Sequence, residues 1–162
     1  MLRLAQAAEA AVDLVGRLSA LAVLALVGVM SANVLLRYGF SVGSVWAQEL
    51  EWHLMSPIAL IGAAYALRHG EHVRVDVLYG RMSPAMQRAV DALSSLLGVV
   101  ACLYVAWLSL RYVGQSWEQG EGSANPGGMP ARYVLKAFIP AGFLLLALQF
   151  AAVLLKSAAR PR

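Results

Sequence analysis

Apolar residues occupy this chain in four long blocks, Leu18–Leu36, Val45–Leu67, Ala92–Leu110 and Ala137–Leu155, joined by shorter polar stretches. Each block approaches the roughly 20 residues that carry a helix across a ~30 Å hydrocarbon core. Inside lipid a backbone N–H or C=O has no water to bond, so each block is expected to be α-helical. The pattern therefore predicts an all-α integral membrane protein, a single four-helix transmembrane domain over residues 1–162. Four spans in so short a chain leave no room for a separate soluble domain.

Ahead of the first block, residues 2–17 gather Arg3, Gln6, Glu9, Asp13 and Arg17 into an arc of about 120° at ~100° per residue, opposite Leu4, Ala8, Val12 and Val15. We expect an N-terminal interfacial amphipathic helix here, lying on the membrane surface or against a partner helix. Asp13 stands four residues before Arg17, a favourable order for an ion pair. The competing reading makes 2–17 the start of the first span. A cleaved leader is not expected, because the apolar run exceeds the usual ~7–15 residues and no A-x-A site closes it.

The second block opens with acids. Glu49, Glu51 and His53 lie at its entry, with Glu49 near the lipid boundary and His53 about 6 Å deeper at ~1.5 Å per residue. Glu49 and His53, four apart, share a helix face, whereas Glu51 points elsewhere. One reading is a proton or ion site; the plainer one is an interfacial ion-pair cluster fixing helix rotation or docking another subunit. Arg37, Arg111, Arg132 and Lys136 are the cations expected on the same side. Pro57 removes an N–H and predicts a kink. Ala59/Ala63 and Gly62/Ala66 form small-xxx-small pairs suited to close helix contact.

The joints carry their own signals. The connection 68–88 contains HVRVDV, whose alternation predicts an extended segment or tight turn, and Arg74 and Asp76 are expected in a local ion-pair network. His69 and His72 lie three apart, but without Cys or well-spaced acids they do not make a metal site. Ser83-Pro84 reads as a helix start, cap then Pro at the first position. The connection 111–133 holds GEGSANPGGMP, a turn-rich loop that lacks P-loop or dinucleotide spacing.

Composition reinforces the membrane reading: the chain is 60% hydrophobic and 14% charged, against about 45–50% and about 25% in soluble domains. The net charge of +4 raises the question of nucleic acid, but placement answers it, since the cations flank the spans. Arg3, Arg17, Arg68, Arg74, Arg81, Arg88, Lys156, Arg160 and Arg162 fall on the side of the N-terminus, and only Arg37, Arg111, Arg132 and Lys136 on the other. This imbalance predicts cytoplasmic termini, a cytoplasmic loop at 68–88 and a periplasmic loop at 111–133. All four Trp residues, with Tyr38, Tyr112 and Tyr133, sit towards the outer ends as an interfacial belt would. The lone Cys102 gives no disulfide framework or metal spacing, and no cofactor is implied.

The order W-x-Q-E-L-E-W-H-L, then GAAYALRHGEHVRVD at 62–76, GEGSANPGGMP, and FIPAGFLLLALQ at 138–149, resembles the small, DctQ-like membrane subunit of tripartite ATP-independent periplasmic (TRAP) transporters. The likeness covers nearly the whole chain; HVRVD and the Ser…GGxP loop are its specific parts, and Met129 stands where Leu is common. It looks closest to branches labelled for mannitol, chloroaromatic or 2-oxo acid uptake. The resemblance implies a non-catalytic scaffold, not an enzyme. Its partners would be a large transmembrane subunit, which carries the substrate and Na⁺ sites, and a periplasmic substrate-binding protein. It also implies the bacterial inner membrane, with Na⁺-coupled uptake of a small organic solute.

The residues support that division of labour, because no ion-liganding constellation sits at mid-membrane, where transporter sites tend to lie. Two alternatives are weaker. A stand-alone proton-coupled four-helix transporter using Glu49 or Glu51 conflicts with the shallow position of both acids. A cytochrome b needs paired His on facing helices, whereas His53 is the only His within a span. The candidates whose charge or shape matters to assembly are Glu49, Glu51, Trp52 and His53 at the outer end, Arg74 and Asp76 at the inner end, and Lys136.

Overall fold

The computed structural model describes residues 2–71 and 79–159. Four helices make up most of them: α1 (Leu2–Phe40), α2 (Val45–His69), α3 (Pro84–Glu118) and α4 (Arg132–Ala159). Each is long and apolar enough to cross a membrane. The expected extended segment HVRVDV, with His72, Arg74 and Asp76, lies outside the described residues.

The helix ends follow the local chemistry. Ser44 and Ser83 cap α2 and α3, each accepting a hydrogen bond from the backbone three residues on (3.3 Å to Ala47 N and to Met86 N), with Pro84 in the first turn. At the other ends Gly70 and Gly120 adopt left-handed conformations (φ 81° and 57°). The following amides, Glu71 N and Glu121 N, reach back 3.0 Å to Ala66 O and Ser116 O. Both helices thus stop in a Schellman turn, which takes up orphan carbonyls and is easiest for glycine. Helices α2 and α4 run on through Pro57 and Pro140.

The first helix differs from expectation. No break separates 2–17 from 18–36; Leu2–Phe40 is one helix of 39 residues, about 58 Å long at ~1.5 Å per residue and so nearly twice a ~30 Å hydrocarbon core. The physical reason lies in Glu9 and Asp13 of its polar stripe, which meet cations of α2 and α4, while Arg3, Gln6 and Arg17 stay exposed. Ala5, Glu9 and Val12 are all buried. Asp13 lies near Arg68 (3.6 Å) and His69 (3.8 Å) of α2, not in the expected pair with Arg17.

Packing forms two antiparallel pairs, α3 with α4 and α1 with α2, joined because α4 also packs on α2 and α1. The α3 seam buries Ser95, Cys102, Ala106, Ser109 and Ser116, spacings of seven, four, three and seven that keep one narrow stripe inward. Close approach relies on glycine: a Cβ on Gly142 of α4 would lie 2.6 Å from Leu60 Cβ of α2. Gly62 has open space around it and Ala59 and Ala63 are exposed, so the expected small-residue surface of α2 is not used within the chain. The outside is apolar, with Leu24, Leu35 and Trp107 exposed, while small and polar side chains fill the inside. That inversion suits lipid, where helix association depends on close packing and hydrogen bonds.

Candidate functional site

The most constrained polar group is Glu49, one turn into α2 and only 2% exposed. A carboxylate there is costly unless fully hydrogen-bonded. The loop between α3 and α4 supplies the donors. Ser123 Oγ and Asn125 Nδ2 (3.2 Å) donate to Oε1, Met129 N (2.7 Å) donates to Oε2, and the Arg132 guanidinium stands 3.7 Å away.

The loop is shaped for this task. Ser123 N bonds Met129 O (3.0 Å), Gly128 N bonds Asn125 O (3.0 Å), and Arg132 N bonds Glu121 O (2.8 Å), closing residues 121–132 into a compact lasso. Its turn-rich composition makes that closure accessible: Gly127 is left-handed at φ 77°, and even Ala131 takes φ 61°. At Gly128 only a hydrogen fits, because a Cβ would lie 2.7 Å from Glu49 Oε2.

A second polar group braces the base of the same loop. Ser116 Oγ (2.7 Å) and Lys136 Nζ both donate to Glu121 Oε2, and Lys136 also sits 4.0 Å from the centroid of the Tyr112 ring. The hydrogen bond from Lys136, followed by that from Ser116, holds the Glu121 carboxyl below the ordinary glutamate range. Trp117 and Tyr133 meet edge to face at 4.6 Å across the same junction.

The remaining candidates separate. His53 Nδ1 lies 2.7 Å from Glu49 O. A carbonyl can only accept, so Nδ1 is the donor in that contact, and the buried Nε2 has no hydrogen-bond partner among the described residues. Glu51 turns towards α1, where Asn33 Nδ2 donates to it at 2.9 Å. Trp52 is exposed beside it, on a pocket of about 290 Å³ that also includes Arg37, Tyr38 and Gln48. Of the four cations expected to neutralise the acids, Arg132 meets Glu49 and Lys136 meets Glu121. Arg74 and Asp76 are not described. Residue-by-residue reading missed Ser123, Asn125 and Glu121; the signal was a Ser, an Asn and adjacent Gly residues in the only long joint on the Glu49 side.

At the opposite end, where the termini lie, Glu9 bonds Lys156 Nζ with one oxygen and stands 3.5 Å from Arg68 with the other. Ion pairs between helices hold this end, whereas a loop holds the Glu49 end.

These features define a multi-pass membrane protein whose acids are engaged by its own chain. Residues 26–160 match the family described as tripartite ATP-independent periplasmic transporters, DctQ component, and the chain belongs to that family. It is similar to the ectoine TRAP transporter small permease protein TeaB of Halomonas elongata, 27% identical over 74% of this chain and 61% of the relative. A putative TRAP transporter small permease protein of Haemophilus influenzae is 27% identical over 79% of this chain and 78% of the relative. The C4-dicarboxylate TRAP transporter small permease protein DctQ of Rhodobacter capsulatus is 31% identical over 65% of this chain and 46% of the relative. The matched part of the chain thus spans between about half and four-fifths of these relatives' lengths. The family is a transporter membrane component, not an enzyme family.

Proposed function

We propose that this small TRAP subunit is a non-catalytic scaffold that stabilises a large transmembrane subunit in the bacterial inner membrane. Both termini are cytoplasmic, and the Glu49 end faces the periplasm, where it helps dock the substrate-binding protein. The complex takes up a small organic solute with Na⁺.

The observation that carries this reading is the saturation of Glu49. Its two oxygens accept three hydrogen bonds from residues 123–129, with Arg132 beside them. A coupling carboxylate must exchange its partners for an ion or proton on each cycle. This one is spent on holding a loop, which argues against the chain transporting alone. Orientation rests on the excess of Lys and Arg beside the termini.

Co-purification with the large subunit tests the proposal. Recovery of the large subunit is expected to fall when this chain is absent, and Glu49→Lys to lower recovery more than His69→Ala. Solute accumulation by liposomes containing only this chain would overturn the scaffold reading.

A further inference from the structure

We infer that the outward face of α3 is where a transmembrane helix of the large subunit docks, bringing a hydrogen-bond acceptor to Tyr104. The inference rests on the scaffold reading and adds to it the surface that makes the contact.

Among the described residues, α3 packs along α4 and stands off α1 and α2, so its far side is unpartnered within the chain. At ~100° per residue Leu93, Leu97, Val100, Tyr104, Trp107 and Arg111 fall in an arc of about 80°, opposite the seam buried against α4. All six are exposed. Their alternating spacings of four and three residues are those of a stripe along which two helices interlock.

A purely apolar face needs nothing but lipid, whereas this one carries donors. Tyr104 is 59% and Trp107 64% exposed, with ring centroids 6.2 Å apart. Neither the Tyr104 hydroxyl nor the Trp107 indole N–H makes a hydrogen bond among the described residues. Tyr104 lies seven residues from Arg111, about 10 Å inside it at ~1.5 Å per residue. That is deeper than the interfacial belt, where tyrosine hydroxyls meet water. Helical side chains lean towards the N-terminus of their helix, so this one leans further from the Arg111 boundary.

The occupants differ in what they offer. Acyl chains have no acceptor for a hydroxyl. A second copy in the same membrane orientation would set Arg111 against Arg111 across a two-fold axis, and Arg111 has no ion-pair partner among the described residues. A helix of a different chain can supply both missing groups, an acceptor at the depth of Tyr104 and a carboxylate two turns nearer the boundary beside Arg111.

The test uses the full chain produced together with its large subunit in native membranes, with p-benzoylphenylalanine introduced at Leu97 or, for comparison, at the exposed Leu24 of α1. Irradiation is expected to join Leu97 to the large subunit. Adducts to a second copy alone, no protein adduct, or adducts from Leu24 without any from Leu97 overturn the inference. Tyr104→Phe removes the hydroxyl and keeps the ring. It should weaken binding of the large subunit roughly threefold, the share of an average interhelical hydrogen bond in lipid. Tyr38→Phe, near the boundary and 82% exposed, should leave binding unchanged, and equal binding by the two variants also overturns the inference. Wild-type co-purification decides the scaffold reading separately: its failure sinks that reading, whereas recovery without a Leu97 adduct sinks only the docking face.

Discussion

The two ends of the bundle solve the same problem by different means. Around Glu49 a single carboxylate is surrounded by dipoles from one short loop, including a backbone amide, with its one nearby cation at 3.7 Å. Around Glu9 the acids face cations on other helices, and Asp13 Oδ1, Arg68 Nε and Gln149 Oε1 have no hydrogen bonds among the described residues. A closed loop can aim several donors at one point because each fixes the next. Long Arg and Lys side chains meeting across helices have more freedom and leave atoms over. The contrast teaches that charge balance and polar satisfaction are separate achievements, and the Glu49 carboxylate reaches both.

The largest effect should come from Glu49→Leu. It strands the donors of Ser123, Asn125 and Met129, and protease cleavage within residues 119–131 is expected to rise on the order of tenfold, since cleavage follows the open population. Unchanged cleavage would remove the distinction between the two ends. Gly128→Ala comes next, because its Cβ collides with Glu49 Oε2 at 2.7 Å. We expect about 1 kcal/mol of destabilisation in a chemical or thermal melt, against none for the control Gly62→Ala, which has open space.

Acid should loosen the loop end through Glu121. Its folded-state pKa is depressed by the Lys136 and Ser116 hydrogen bonds, so the stability it contributes is full above its unfolded value. That stability is lost as pH falls from the ordinary glutamate range through the depressed value. A melt series below about pH 5 should show this slope and Lys136→Met should flatten it; an identical slope in the variant would exclude the pair as its cause. The smallest effect belongs to Asp13→Asn at the other end. The half-exposed pair with Arg68 is worth at most about 1 kcal/mol, and added salt should shrink the difference further. A loss larger than that of Gly128→Ala would reverse the comparison.

Legibility in the sequence followed the range of the forces involved. The spans and the helix start at Ser83-Pro84 could be read because hydropathy and capping act within a few residues. Glu49 was recognisable as an acid that needed neutralising, and Arg132 as a candidate to do it. The lasso was not readable, since Ser123 and Met129 lie 74 and 80 positions from Glu49. The expected Asp13–Arg17 pair failed for the same reason: a local i,i+4 preference of a few tenths of a kcal/mol yields to a cation brought in by another helix.

The sequence by itself determined that this is a four-span membrane subunit, because lipid forces any apolar run of this length to satisfy its backbone internally. Tertiary structure alone decided that α1 continues unbroken from residue 2, that a glycine-rich loop closes on a buried acid, and that α3 stands off α1 and α2. Those outcomes depend on which faces meet, and the meeting of faces is set by packing across the whole bundle rather than by any single stretch of chain.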